Sequence, residues 1–304
     1  MGNTLSIMKQ KSKHRFNPRN FIIAGIVLAL AALSIISMAV SASVVQLRRA
    51  TAVVPDLPEA FEGVTILYLS DIDLCGLNTP ARSAELINRL QSLAPDMLIL
   101  GGDYTSPTLW EFLNGSDSGD RQRIDRDRFF EALANFTAPM GKYALTVQSD
   151  RALGDMTSLL EKCGFLCLNN TRRSLEKRGQ RLWLVGADAE SNYTAAGKLF
   201  NKKECVLCAV ESPDCLPRIA TAEAADGGQW ADLCLTGSTH GGQICVFGRS
   251  ILGLTPLQQQ YLYGWTTENG VPTLTTSGLG CELLNLRLAT APEAWLLACS
   301  ARGQ

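Results

Sequence analysis

The sequence predicts a mixed α/β domain with helices and sheets in separate layers, preceded by one long apolar helix. Between residues 64 and 163, short apolar runs alternate with segments of helical spacing, and the second half of the chain is rich in strands. Acidic and polar residues directly follow several strands, which is where ligands bind in open α/β sheets. The apolar helix is predicted because no charged residue occurs from Phe21 to Val45.

The composition is that of an ordinary globular protein. The chain has 304 residues, of which 46% are hydrophobic and 19% charged, with a formal net charge of −1. This length allows one large domain or two modest ones. The charge balance gives no indication of a nucleic-acid partner. Only two histidines occur, His14 and His240, which excludes a His-rich metal-binding tract.

Residues 20–45 are predicted to form a transmembrane helix, because about 20 apolar residues span the bilayer core. Residues 1–19 form a basic tail, and only Arg48 and Arg49 follow the helix closely. Since basic flanks stay in the cytoplasm, we expect a single-pass cell-membrane protein with its N-terminus inside and its body outside. A cleaved signal peptide is an alternative that the length of the apolar stretch disfavours, and a buried core helix is one that the flanking charges disfavour.

The remaining chain is predicted to contain a linker over residues 46–61, marked by Pro55 and Pro58, and a domain over residues 62–304. Helical spacing predicts helices at 80–94, 128–136 and 156–163, and the polar segment 113–127 predicts an exposed loop. Apolar runs predict strands at 64–69, 97–100, 142–147, 182–185, 206–210, 233–236, 244–247, 272–276 and 294–299.

Ten cysteines in an extracytoplasmic domain would ordinarily suggest disulfides. Several of them lie inside apolar runs such as 206–210, where free cysteine is a common buried residue. Cys205 and Cys208 have the spacing of half a zinc knuckle or of a redox pair. No second pair follows at zinc-site spacing, so core positions are favoured for both.

Five polar segments occur in an informative order. They are Asp71-Ile72-Asp73, Gly102-Asp103, Val147-Gln148-Ser149-Asp150, Glu211-Ser212-Pro213 and Gly237 to Gln243. Together with residues 278–293 they resemble the calcineurin-like metallophosphoesterases. The closest subgroup is the membrane-anchored bacterial phosphodiesterases, relatives of the lipid-A-pathway pyrophosphatases. The resemblance covers about residues 62–300 and implies a four-layer αββα sandwich whose polar segments converge at one rim.

In that family the five segments are Asp-x-His, Gly-Asp, Gly-Asn-His-Asp, a lone His and Gly-His-Thr-His-Gly-Gly-Gln. They hold two metal ions about 4 Å apart, which clamp a phosphate and activate a hydroxide for in-line attack. In this chain most of the histidines are replaced. Asp73, Ser149, Glu211 and Ser238 stand at four histidine positions, and Gln148 stands at the asparagine position.

The resemblance implies a first metal site formed by Asp71, Asp73, Asp103 and His240. Three carboxylates and one imidazole suit a single hard cation, with Mn²⁺ or Mg²⁺ favoured over Zn²⁺ and with Ca²⁺ as a further option. Without a cation, clustered carboxylates would have to protonate in part.

A second metal site would keep Asp103 and otherwise depend on weaker donors, namely Gln148, Glu211 and Ser238. Ser149 and Asp150 are the candidate catalytic residues because they stand at the His-Asp positions of the third segment. Ser149 cannot donate a proton near neutral pH, so catalysis is expected to be impaired.

Alternatives remain open for each residue. Asp71 and Asp103 could be turn residues without a metal, His240 could be a satisfied core histidine, and Glu211 could be a solvated loop residue. Two functions therefore compete. One is a membrane-anchored phosphohydrolase that cleaves a phosphodiester or pyrophosphate in a phosphorylated or lipid-linked small molecule. The other is a catalytically inactive relative that acts as a binding or scaffold module.

Overall fold

The computed structural model describes residues 18–302, and the chain divides into two compact units at residues 37 and 38. Helix α1, Pro18–Ser43, begins in the first unit and ends in the second. Its 25 residues from Arg19 are long and apolar enough, by length and composition, to cross a membrane. At 1.5 Å per residue they measure about 38 Å, which exceeds the roughly 30 Å hydrocarbon core of a bilayer. Most of the predicted basic tail, including His14, lies outside the described residues.

Eight further helices follow α1, most of them short. They are α2 Pro80–Leu90, α3 Leu109–Asn114, α4 Gly119–Ala132, α5 Gln148–Ala152, α6 Met156–Lys162, α7 Tyr193–Gly197, α8 Leu216–Thr221 and α9 Pro256–Gln260. Several have side-chain caps of the expected kind. Thr79 caps α2, where Pro80 takes the first turn, and Thr108 forms a capping box with Glu111 in α3.

Fourteen strands are present in the described residues. They are β1 Gln46–Val53, β2 Thr65–Leu69, β3 Met97–Leu100, β4 Lys142–Ala144, β5 Leu166–Cys167, β6 Thr171–Lys177, β7 Gln180–Ala187, β8 Val206–Val210, β9 Leu233–Thr236, β10 Cys245–Val246, β11 Arg249–Ser250, β12 Gly264–Glu268, β13 Val271–Thr275 and β14 Glu293–Ser300. Twelve of them form two six-stranded sheets, in the orders β1-β14-β2-β3-β4-β5 and β12-β13-β9-β8-β7-β6, and β10 and β11 form a hairpin.

The two sheets pack face to face, with helices on both outer faces. Successive strand residues point to opposite faces, so Ile66 and Tyr68 of β2 lie in the core between the sheets, with Leu207 of β8. Leu67 and Leu69 lie in a second core beneath α2, α4 and α6. A third core lies between the other sheet and α7 and α8. The predicted α/β class and four-layer αββα sandwich are therefore confirmed.

The expected linker over residues 46–61 is wrong for its first half. Residues 46–53 form β1, which pairs in parallel with β14 from Gln46–Glu293 to Val53–Ser300. This edge strand has a single neighbour and is largely exposed, so its sequence lacks the buried alternation by which strands are recognised. Residues 46–53 are consequently part of the sheet, and the second compact unit begins at Met38 rather than at residue 62.

The expected loop over residues 113–127 is also wrong. Most of it belongs to α4, in which Arg126, Phe129 and Phe130 are the buried residues. The start of this helix is held by ion pairs of Arg121, which lies 2.8 Å from Glu111 and 3.0 Å from Asp125. The helix predicted at 128–136 is the end of this longer helix. Strand β4 stops at Ala144, and residues 148–152 form α5.

The cysteines are in the positions that their apolar surroundings indicate. All ten are free, and nine are buried. Cys205 and Cys208 lie in and beside β8, where burial raises the pKa of the Cys205 thiol and where Cys208 contacts Cys234 of the neighbouring strand. They contribute to the hydrophobic cores.

Candidate metal centre

The polar segments leave the carboxyl ends of five strands at one edge of the sandwich. Residues 70–73 follow β2, 101–103 follow β3, 148–150 follow β4, 211 follows β8 and 237–240 follow β9. Strands β2, β3 and β4 are mutually parallel, as are β8 and β9, so these loops share an edge. This is the edge at which open α/β sheets bind ligands.

Asp71, Asp103 and His240 form the centre of the site. A carboxylate oxygen from each aspartate and an imidazole nitrogen of His240 all lie within 4.8 Å of one another. Asp71 and His240 are buried, whereas Asp103 is partly exposed and opens the group toward solvent. The distances suit three ligands of one cation.

Strained backbone positions these side chains. Asp71, Asp73, Asp103, Ser238 and His240 have φ angles between 47° and 69°, a region that residues other than glycine rarely adopt. Such conformations persist only where the surrounding structure enforces them, and they concentrate at functional sites. Here backbone hydrogen bonds hold these conformations in place. The Asp71 N–H donates to the Gly102 carbonyl oxygen at 3.0 Å, and the Ile72 N–H donates to the Asp103 carbonyl oxygen at 2.9 Å.

Asp71 is held by the glycine-rich segment after β9. The backbone N–H of Ser238 donates to both Asp71 carboxylate oxygens, at 2.9 and 3.0 Å. A side chain at Gly237 would place its Cβ 2.5 Å from Asp71 Oδ2, so only glycine lets the segment approach. Ser238, expected as a second-site ligand, therefore contributes its backbone N–H to the first site.

Asp73 faces His240 rather than completing the central group. Asp73 Oδ2 lies 3.4 Å from His240 Nδ1, and both atoms are buried without a hydrogen-bond partner among residues 18–302. Burial lowers the pKa of His240 to about 3, with the Arg287 charge acting in the same direction. The imidazole is therefore neutral near physiological pH, which is the form that binds metals. A carboxylate beside one ring nitrogen can orient the ring so that the other faces a metal.

The three aspartates are destabilised as anions. Burial raises the pKa of Asp71 to about 7, with backbone and Arg287 contacts partly opposing the rise. Desolvation of the two carboxylates raises the pKa of Asp73 and of Asp103 well above the usual range. The neighbouring carboxylates raise both pKa values further. A divalent cation would reverse this penalty, because it favours the ionised forms.

Asp150 holds backbone segments of the site together through its carboxylate. Its carboxylate accepts the backbone N–H groups of Asp103, Tyr104 and Val147 at 2.9–3.0 Å. It is fully buried, and its pKa rises to about 6 because burial outweighs those hydrogen bonds. Asp150 thus fixes the loop that carries Asp103. The exposed Ser149 lies closer to the expected chemistry, with its Oγ 3.4 Å from Asp103 Oδ1.

Of the remaining expected ligands, Glu211 is not part of the central group. Gln148 is exposed at the start of α5. The surroundings of Glu211 are Asp188, Arg151 and Glu190, and burial raises its pKa. The only cluster of three or more potential metal-binding His, Cys, Asp or Glu side chains within the described part of the chain is Asp71, Asp103 and His240.

Sequence reasoning missed the contribution of Arg287. Its fully buried guanidinium donates to the carbonyl oxygens of His240 at 2.9 Å, Ser277 at 2.7 Å and Gly280 at 2.6 Å. It therefore joins the loop after β9 to the loop after β13, and its charge lowers the pKa of Asp71. A lone arginine between two leucines gave no sequence signal of this role.

These residues fit a hard divalent cation. Two carboxylates and a neutral imidazole are within reach of one another, and Asp73 adds a third carboxylate beside the imidazole. Asp73 Oδ2, which has no hydrogen-bond partner among the described residues, is an atom that a cation or its bound water could satisfy.

Comparisons with known proteins support the family resemblance. No family model matches the chain. A Caenorhabditis elegans protein and an Aquifex aeolicus protein, both named as metallophosphoesterases without a stated substrate, are 27% and 25% identical to it. The first match covers 60% of this chain but only 38% of the C. elegans protein, and the second covers 81% and 88%.

Among solved structures, a dimetal phosphatase from Danio rerio matches 72% of this chain and 88% of its own, with 10% identity and a TM-score of 0.38. The two-sheet architecture derived above comes from the strand pairings of this chain itself. The chain is therefore similar in sequence to proteins named as metallophosphoesterases, and it has the two-sheet architecture that the resemblance implied.

Proposed function

We propose that this protein is a membrane-anchored, metal-dependent phosphohydrolase with a reduced site that holds one divalent cation. The observation that supports this most directly is the group formed by Asp71, Asp103 and His240, whose ligand atoms lie within 4.8 Å of one another. The substrate class is a phosphodiester or pyrophosphate in a phosphorylated or lipid-linked small molecule. Mn²⁺ or Mg²⁺ suits the carboxylate-rich set.

The bound cation would polarise a phosphoryl oxygen and lower the pKa of a coordinated water. The protein's own residues then have distinct tasks. Asp71 and Asp103 bind the cation, Asp73 orients the neutral imidazole of His240, and Arg287 holds the His240 backbone in place. Ser149 lies beside Asp103 and can donate a hydrogen bond to a phosphate, but its hydroxyl cannot act as a general acid near neutral pH.

Turnover is expected to be slow for this reason. General acid–base assistance typically contributes about 10²–10⁴ in rate, and Ser149 cannot supply it. Loss of a second metal removes one side of the clamp on the attacking and leaving oxygens. The wild-type chain should therefore hydrolyse bis-p-nitrophenyl phosphate weakly or not at all. Rates typical of intact two-metal relatives would refute the reduced-site proposal.

Metal content and thermal stability test the site directly. The full chain purified in detergent should bind about one equivalent of Mn²⁺, and Mn²⁺ should raise its melting temperature by mass action. Asp103→Asn should abolish that rise because it removes a central ligand. Two equivalents of bound metal would support a two-metal site, and an unchanged rise in Asp103→Asn would refute the assignment.

A catalytically inactive relative that acts as a binding module is the second candidate. It is favoured by the serines at positions 149 and 238, where the family has histidines. One equivalent of bound metal together with no hydrolysis of any phosphodiester or pyrophosphate offered would favour this second function.

The membrane anchor is proposed from the length and composition of α1. The basic residues before it support an orientation with the N-terminus in the cytoplasm and the domain outside. Protease added to intact cells or spheroplasts should then digest the domain. Complete protection of the domain, with digestion only after lysis, would overturn this orientation.

A further inference from the structure

The most exposed large hydrophobic side chains of the domain are concentrated in three segments. Within residues 44–302, six of them are at least 60% exposed, and they are Leu77, Trp110, Phe112, Leu113, Phe247 and Ile251. We call these six residues the apolar face. Single exposed hydrophobics are common on soluble proteins, but a group of six, including three aromatic rings, indicates an interaction surface.

The segments that carry the apolar face are joined through residues 281–290. Thr108, the N-cap of the α3 helix that bears Trp110, forms a β-bridge with Leu283. The hairpin that bears Phe247 is attached by a hydrogen bond from Cys245 N–H to Leu288 O at 3.1 Å. These bonds bring the α3 segment and the hairpin segment to one region of the domain.

The end of α1 is attached to the same region. The Arg287 backbone N–H donates to Met38 O at 3.1 Å, and the Ser41 hydroxyl donates to Thr290 O at 3.4 Å. Leu77 and Asn285 line one cavity of about 340 Å³ together with Ala39 and Ala42. Residues 38–43 are the last of the apolar helix and belong to the same compact unit as the apolar face, so the chain enters the domain beside the segment that joins this face.

The β10–β11 hairpin has the features of a membrane-contacting tip. Its two-residue turn, Phe247-Gly248, has positive φ at both positions, as a type I′ turn requires. A phenylalanine is unfavourable there, and its side chain is fully exposed. Arg249 follows it and is also exposed. An aromatic ring beside a basic side chain matches the acyl and headgroup layers of a bilayer surface.

We infer that the apolar face docks on the lipid bilayer that holds α1, so that Trp110 and Phe247 insert at the level of the headgroups. The inference rests on the proposed membrane anchor. Covalent continuity with α1 favours lipid over a second copy of the chain, because the helix end holds this face at the bilayer surface. Trp110 has the amphipathic ring that is enriched at membrane interfaces, and phenylalanine is common on the apolar side of interfacial segments.

Docking would hold the candidate metal centre beside the membrane. Gln243, three residues after His240, donates through its side chain to Glu282 O at 3.0 Å and Leu284 O at 3.1 Å. The loop that carries His240 is thus tied to the segment that joins the apolar face. A phosphate at headgroup depth would then be near the site without leaving the membrane.

Brominated lipids test the docking in the full chain. The protein is incorporated at one copy per nanodisc made with brominated phosphatidylcholine, and its tryptophan emission is compared with that in unbrominated discs. Bromine quenches only rings that reach the lipid. Helix α1 contains no tryptophan, so its insertion alone produces no quenching. We expect quenching in the wild type and loss of that component in Trp110→Phe.

Matched variants place the fluorescent tryptophan at other surface positions. In the Trp110→Phe background, Phe247→Trp should restore quenching. Leu199→Trp should not, because Leu199 is exposed but lies beside α7, in none of the segments of the apolar face. Trp183→Phe should leave the wild-type quenching unchanged, since Trp183 contacts Phe200 and Glu204 instead.

The outcomes are distinguishable. Chain retained in the disc with equal quenching before and after Trp110→Phe would overturn the docking while leaving the anchor intact. Chain that elutes apart from the disc would overturn the anchor and the docking together. An emission change that occurs only in discs with two copies would assign the apolar face to a second copy of the chain and overturn the lipid proposal. None of these results depends on phosphohydrolase activity.

Discussion

Asp71→Asn is expected to stabilise the metal-free protein and to remove its response to metal. The substitution keeps the shape of the side chain but removes its charge. The Ser238 N–H, which now reaches both carboxylate oxygens, still finds an amide oxygen to donate to. What disappears is an anion that is buried among other carboxylates.

The magnitude follows from the raised pKa of Asp71. Burial moves it from 3.8 to about 7, and each pKa unit corresponds to 1.36 kcal/mol. Because the folded-state pKa is the higher one, the contribution of Asp71 to stability is fully present below about pH 4. It is lost as the pH rises to about 7. The metal-free variant should therefore exceed the wild type by about 4 kcal/mol at pH 8 and by about 1.5 kcal/mol at pH 5.

Other titrating groups leave this comparison largely intact. The lowered pKa of His240 makes the free energy of unfolding change with pH in the opposite direction. Its contribution to stability is lost as the pH falls from about 6.5 toward 3. This pH dependence is the same in the wild type and in Asp71→Asn, so it cancels when their free energies of unfolding are compared. Asp73 and Asp103 are each relieved of one neighbouring charge, which adds to the stabilisation.

The assay is thermal unfolding of the full chain in detergent with a chelator, at pH 5 and pH 8, followed by tryptophan fluorescence. About 4 kcal/mol corresponds to a rise of roughly 10 °C in a domain of this size. With Mn²⁺ at 100 times its dissociation constant, the wild type should gain about 2.7 kcal/mol and the variant little. A variant that is destabilised equally at both pH values would refute the reasoning, because Asp71 would then act through neutral hydrogen bonds.

Three further substitutions probe the surroundings of the site. Arg287→Met should destabilise the protein by about 3–5 kcal/mol in denaturant titrations, because several buried carbonyls lose their donor; a cost below about 1 kcal/mol would contradict that role. Gly280→Ala should cost about 1–3 kcal/mol and weaken the Mn²⁺-induced rise in melting temperature, since its Cβ would lie 2.2 Å from Ile72 O and 2.4 Å from Asp73 Cβ; an unchanged rise would show that the loop yields without moving Asp73. Glu211→Gln should leave the Mn²⁺-induced rise unchanged, because its neighbours are Asp188 and Arg151; a lost rise would restore Glu211 as a ligand.

Buried strands were predicted well and exposed elements poorly. Residues 97–100, 206–210 and 233–236 have the predicted bounds, because strands buried on both faces are continuous apolar runs. Edge strand β1 and the ion-paired start of α4 were missed. Their stability comes from a neighbouring strand or from distant charged partners, neither of which produces a local hydrophobic period.

The polar segments carried the resemblance that implied an αββα sandwich, and their positions after strands predicted the meeting of Asp71, Asp103 and His240. Residues that follow parallel strands must share an edge, so strand order and motif spacing carry that information. The cysteines were similarly predictable from their apolar neighbours.

The tertiary structure alone decided what each neighbour of the cluster does. Asp150 accepts three backbone N–H groups, Ser238 contributes its backbone N–H, and Arg287 links the loop at His240 to the loop at Ser277. The apolar face likewise depends on segments that are distant in sequence and that residues 281–290 join. Side-chain chemistry and strand periodicity are local properties of a sequence, whereas burial, pKa and surface continuity depend on which distant atoms surround each group.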